Sequence, residues 1–88
     1  MKGSEKQINW ANKIIDIYRR HLLDFPIILE AFECYVETHQ NAGWWIDYCK
    51  VNENDKDYVV FQKLNNIPMN VTFEVRNKIE EIISEKSR

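Results

Sequence analysis

His21, His39, Cys34 and Cys49 are the side chains of this 88-residue chain best suited to ligate zinc or to act as nucleophile and base. A structural zinc site needs four suitable ligands, and these four are dispersed over separate segments with no paired spacing. A ligand site would need all of those segments to converge, so no metal and no cofactor is expected. Catalysis meets the same obstacle. Cys34 falls inside a helical pattern beside Tyr35 and reads as a structural thiol. Cys49 is followed by Lys50, which could lower its pKa, but no neighbouring histidine supplies a general base.

The carboxylates give a similar answer. Glu30, Glu33 and Glu37 recur at helical spacing without a partnering histidine motif, which describes a solvated acidic face. The run Asn52-Glu53-Asn54-Asp55-Lys56-Asp57 lacks the glycine and ligand register of a calcium loop. With two glycines in the whole chain, there is no phosphate-binding loop or dinucleotide fingerprint. The expected function is not enzymatic.

Aromatic residues carry more information. Trp44 and Trp45 are adjacent, so on a helix their indoles point in different directions. Trp45 is expected in the core and Trp44 at the surface. Trp10, Trp44 and Tyr48 are candidate anchors for a protein partner, because a few aromatic side chains often dominate an interface. Charge is divided along the sequence. Residues 1–20 carry a net +3, residues 21–57 a net -6 and residues 58–88 a net +1. That division first suggests complementary packed helices, and secondarily a surface that orients a partner through Arg19, Arg20 or the acidic stripe.

The elements that position these residues follow from hydrophobic periodicity. Ser4 and Gln7 form a capping box for a first helix running to about Leu23. Ile8, Ala11, Ile15, Tyr18 and Leu22 line its inner face, widened by Ile14, with Lys6, Lys13 and Arg20 on another side. Asp24 is a candidate cap for a second helix with Pro26 in its first turn. Ile28, Ala31, Phe32, Tyr35 and Val36 point inward there. The short connection predicts an antiparallel pair, with the acidic stripe set beside the basic one.

Thr38–Asn41 interrupts the pattern, and Asn41 caps a short third helix over Ala42–Cys49. Trp45, Tyr48 and Cys49 make one approximate face of it, while Trp44 and Asp47 point elsewhere. Gly43 weakens this helix unless it serves close backbone packing. Asn52–Asp57 is a polar connection.

The C-terminal part is ambiguous. Tyr58–Phe61 and the alternation of Val71, Phe73 and Val75 fit a hairpin. Val71, Val75, Ile79, Ile82 and Ile83 fit a helical face, begun near Pro68 and Asn70 and supported by Glu74–Lys78 and Arg76–Glu80 pairs. The favoured class is all-α, one domain over residues 1–88 as a compact bundle of about four helices. An α+β fold with a C-terminal hairpin is the alternative.

The 44% hydrophobic and 30% charged composition suits one small core and not a disordered chain. No apolar run approaches a membrane span, and the N-terminus lacks a secretory hydrophobic segment. A cytoplasmic protein with reduced thiols is the expectation.

The segment Gly3-Ser4-Glu5-Lys6-Gln7-Ile8-Asn9-Trp10-Ala11-Asn12-Lys13-Ile14, together with Trp44-Trp45-Ile46-Asp47, resembles a small helical module recurrent in phage and mobile-element proteins. The second motif of that module is commonly followed, after one intervening position, by a basic residue. Here Cys49 stands in that place and Lys50 follows. The resemblance implies an accessory, regulatory or host-interaction protein, for instance one directed at a bacterial defence enzyme. The expected role is thus protein binding, with a homodimer as one form of it. The alternatives are single-stranded nucleic-acid binding through Lys6, Lys13, Arg19, Arg20 and Trp44, or structural assembly.

Overall fold

A computed structural model describes residues 1–68 and 72–86. Among these residues the chain forms five α-helices and no strand: α1 (Glu5–Leu22), α2 (Pro26–Thr38), α3 (Ala42–Tyr48), α4 (Asp57–Asn66) and α5 (Phe73–Lys86). The all-α expectation holds, with one helix more than expected because the C-terminal half divides into two. The hairpin alternative fails: Tyr58–Phe61 lies within α4, and Phe73 and Val75 lie within α5. Val71 and Asn70 fall outside the described residues.

The capping box forms at α1. Ser4 Oγ accepts from the Gln7 amide, and Gln7 Oε1 accepts from the Ser4 amide. Gly3 precedes it with φ of 142°, a region that disfavours residues with a Cβ. A Cβ there would also meet the Ala42 Cβ at 3.0 Å. That close approach lets Lys2 bond to the α2–α3 link, donating to the Gln40 carbonyl and accepting from Ala42, both at 2.8 Å.

Two local expectations need correction. Asp24 does not cap α2: the N-cap is Phe25, without a side-chain hydrogen bond. Pro26 opens the helix and has no amide to satisfy, so the helix tolerates the missing cap. Nor does Gly43 serve close packing between helices, since a Cβ there would meet only the capping oxygen of Asn41.

α4 packs against α5 and α1 against α3, while α1 also meets α2 and α4, and α2 meets α5. The core takes Ala11, Ile14, Ile15, Ile17, Tyr18 and Leu22 from α1, and Ile28, Phe32 and Tyr35 from α2. Ala42, Trp45, Val60, Phe61, Leu64, Ile79 and Ile82 join it from the other three helices, and Cys49, Val51 and Ile67 from the links. Each large aliphatic or aromatic residue so enclosed contributes about 1.5–3 kcal/mol of burial. The i,i+4 pairs expected in α5 are replaced by other partners. Lys78 lies 3.8 Å from Glu81, and Arg76 donates to the Asn65 carbonyl at 2.8 Å, tying α5 to the end of α4. No helix of the described residues is long and apolar enough to cross a membrane.

Candidate aromatic docking surface

Asn41 starts α3 by accepting the Trp44 amide on its side-chain oxygen at 3.3 Å. In this seven-residue helix, positions four apart share a face. Trp45 and Cys49 therefore turn inward together, each 1% exposed. Tyr48 turns outward, whereas Trp44, expected at the surface, is half-buried and packed against the core. Tyr48 is 60% exposed, so it does not share the face of Trp45 and Cys49 as expected.

The indole of Trp45 donates to the His39 carbonyl at 2.8 Å, so its polar edge is satisfied within the core. Its ring meets Phe32 edge-on at 5.7 Å and Trp44 edge-on at 5.1 Å. Trp44 in turn lies face to face with His39, the ring centroids 3.9 Å apart and the planes 22° from parallel. His39 continues the stack to Tyr35 at 5.5 Å, and Trp44 meets Tyr48 at 5.9 Å and 45°. His39 is itself held at the end of α2. Its amide donates to the Tyr35 carbonyl, and its Nδ1 lies 3.1 Å from Thr38 Oγ1.

An aromatic ladder thus runs from the core outward to Tyr48. At its outer end, His39, Asn41, Trp44, Asp47 and Tyr48 help to line a shallow hollow of about 450 Å³. The aromatic pairing of His39 with Trp44 had no signal in the sequence beyond the short interval between them. Asp47 lines the same hollow, three residues after Trp44 and one before Tyr48.

The other candidate residues lie along α1. Trp10 is 43% exposed and carries Lys50 over its ring, Nζ 5.4 Å from the centroid. It lines a hollow with Lys13 and Glu53, and a second hollow shares those two residues and extends past Arg20 to the exposed Leu23. Arg19 is engaged within the molecule. Its Nε and Nη2 donate to the two carboxylate oxygens of Glu33 at 2.6 and 2.9 Å, and Asp16 lies 3.5 Å away. Glu33 of the acidic stripe thus meets Arg19, which lies off the expected basic stripe of Lys6, Lys13 and Arg20, and no ion pair joins the two stripes themselves among the described residues. Its hydrogen bonds raise the Arg19 pKa and lower that of Glu33. Arg20 is exposed and makes no ion pair among the described residues. The five candidate residues therefore divide between two surfaces, Trp44 and Tyr48 on α3, and Trp10, Arg19 and Arg20 along α1.

The remaining reactive side chains are tied to structure. Burial pushes the Cys49 thiol up to about 12, which leaves it protonated near neutrality. Cys34 is exposed, not enclosed as a structural thiol would be. Its place on α2 lies outside the narrow stripe of Ile28, Phe32 and Tyr35 that turns inward. His21 Nδ1 is paired with Asp57 Oδ1, whose other oxygen accepts from Lys86 at 2.6 Å. This group joins α1, α4 and α5, and Lys86 also lies 5.5 Å from the Phe25 ring and 5.6 Å from Phe61. Asp55, expected in a solvated loop, accepts from the Asn52 amide and from Lys63 at 2.9 and 2.7 Å. Among the described residues, no three His, Cys, Asp or Glu side chains are grouped to hold a metal.

Comparison with protein-family models, curated proteins and solved structures finds no match to this chain.

Proposed function

We propose that this chain is a non-enzymatic protein-interaction module that docks a partner on the Trp44–Tyr48 face of α3. The observation that carries this reading is the fixed geometry of Trp44, packed between His39 and Trp45, beside a Tyr48 that is 60% exposed. An aromatic side chain already immobilised by its own neighbours loses little conformational freedom on binding. Such anchors concentrate affinity in a small area. The free thiols Cys34 and Cys49 suit the reducing cytoplasm as the setting. The resemblance of Gly3–Ile14 and Trp44–Asp47 to a phage and mobile-element module adds a regulatory role against a host protein, and those two motifs are its whole support.

The test is capture of partners by the wild-type chain, by W44A and by W10A, each shown to be folded by circular dichroism. Loss of a specific partner with W44A and its retention with W10A is expected. Equal recovery by all three proteins contradicts the assignment.

A second reading has its own observation. Trp10 is partly exposed, Lys50 lies over its ring, and Lys13 and Arg20 flank the adjoining hollows. That strip suits single-stranded nucleic acid, in which bases stack and phosphates meet cations. Glu53 and Asp16 in the same hollows oppose it. Self-association is the third reading, carried by the exposed Leu23, Ile27 and Phe73. A concentration series by analytical ultracentrifugation separates it from the other two.

A further inference from the structure

Aromatic rings of this protein differ in whether the chain itself pairs them with a cation. Trp10 has Lys50 over its face at 5.4 Å, and the Phe25–Phe61 pair has Lys86 at 5.5 and 5.6 Å. In both cases the chain supplies its own cation. Trp44 and Tyr48 have none among the described residues, and the hollow they line contains no lysine or arginine. It does contain Asp47, which is exposed and makes no ion pair among the described residues.

Asp47 follows Trp44 by three residues, so its carboxylate flanks the Trp44 ring on the side away from Tyr48, and all three side chains line the one hollow. The rings diverge by 45° with centroids 5.9 Å apart, and Tyr48 is the more open of the two. Aromatic faces attract cations through their quadrupole, tryptophan most strongly, and a carboxylate within reach adds a directed ionic hydrogen bond. Arginine suits both contacts at once, because its planar guanidinium stacks on a ring while its edge donates to a carboxylate. Unlike Glu33, Asp55 and Asp57, which meet Arg19, Lys63 and Lys86, Asp47 is left for a cation from outside the described residues.

We propose that the hollow at Trp44, Asp47 and Tyr48 receives an arginine side chain from a basic segment of a partner protein. This deepens the docking reading and rests on it. The arginine stacks against the accessible aromatic surface at Trp44 and Tyr48, and its guanidinium donates to Asp47. His39 covers one side of Trp44 and acts as a support for the ring, not as a ligand.

The experiment titrates the ¹⁵N-labelled full chain with a flexible Gly/Ser peptide bearing three arginines. The same peptide with citrulline keeps the shape and removes the charge. An oligo-dT of matched length tests the opposite charge. The arginine peptide is expected to shift the Trp44 indole and the Asp47 and Tyr48 amides, with affinity reduced about threefold by D47N. A reduction of about fivefold is expected for Y48A, whose exposed ring can be removed without opening the core. Citrulline is expected to abolish the shifts, and oligo-dT to leave Trp44 unmoved.

Equal binding of the citrulline peptide, an unchanged affinity in D47N, or oligo-dT binding at Trp44 overturns the proposal. So does the absence of any arginine-dependent shift at Trp44. A natural partner that docks on Trp44 and is indifferent to D47N removes only the arginine assignment. A partner that docks away from Trp44 removes the docking reading as well.

Discussion

Tyr18 donates its hydroxyl to the backbone carbonyl of Cys49 across 3.0 Å of buried space. This bond joins the C-terminal part of α1 to the residue that ends α3, and so fixes the end of the helix that presents Trp44, Asp47 and Tyr48. Burial, the largest cause, raises the Tyr18 pKa well above its ordinary value, so the hydroxyl stays protonated and able to donate. Y18F keeps the ring against Phe32 but leaves the carbonyl without this donor. A loss of about 1–3 kcal/mol in denaturant unfolding is expected. A change within error would mean that the carbonyl finds another partner.

The adjacent tryptophans should respond differently to removal. Trp45 is 1% exposed and packs on Phe32, so W45A leaves a cavity and costs about 3–5 kcal/mol. Trp44 loses stacking on His39 and Trp45 but opens no enclosed void, and W44A is expected to cost less than half as much. Comparison of the two unfolding midpoints checks this. Equal losses would place Trp44 in the core and undercut its role as an anchor.

The paired carboxylates predict an acid limit to stability. Lys86, and after it His21, hold the Asp57 carboxyl below its ordinary value, as Lys63 does for Asp55 and Arg19 for Glu33. A carboxyl with a lower pKa in the folded than in the unfolded chain favours folding when both forms are ionised. That contribution is complete above the unfolded value of about 4 and disappears as pH falls through the folded one. In D57N one such contribution is absent at every pH. The gap between wild-type and D57N melting temperatures should therefore narrow as pH falls below about 4. A gap that stays unchanged down to pH 2 would contradict the ion-pair account.

Thiol labelling distinguishes the two cysteines. Cys34 is exposed, whereas Cys49 is enclosed and its thiol is pushed up to about 12 by burial. Labelling by a thiol-specific reagent at neutral pH is expected to modify Cys34 in the folded protein and both residues only after denaturation. Rapid native modification of Cys49 would show that the α3 end opens.

Much of this arrangement was legible in local sequence. Ser4 and Gln7 specified the start of α1, Asn41 that of α3, and the 3.6-residue period identified the inner face of α1. Such signals act over three or four residues, where helix geometry alone sets what meets. Tyr48 was misplaced because a seven-residue helix buries only a narrow stripe, and spacing of three from Trp45 lies at its margin. The α4–α5 division was obscured by β-branched and aromatic residues at Tyr58–Phe61 that suit either state until packing decides. The His21–Asp57–Lys86 group was illegible for a different reason. Its members are 36 and 29 residues apart, and only the tertiary fold brings them together. Within the candidate surface, Trp44 could be read from its neighbour Trp45, while the supporting role of His39 depends on how the α2–α3 link turns.

The most direct measurement is a ¹H–¹⁵N footprint of the labelled protein bound to a partner it captures, with the indole signals of Trp10, Trp44 and Trp45 resolved separately. The docking account predicts that the Trp44 indole and the amides of Asp47 and Tyr48 shift most, while Trp10 and Arg20 stay near their free positions. Shifts confined to Trp10, Lys13 and Arg20, with Trp44 unmoved, would contradict it.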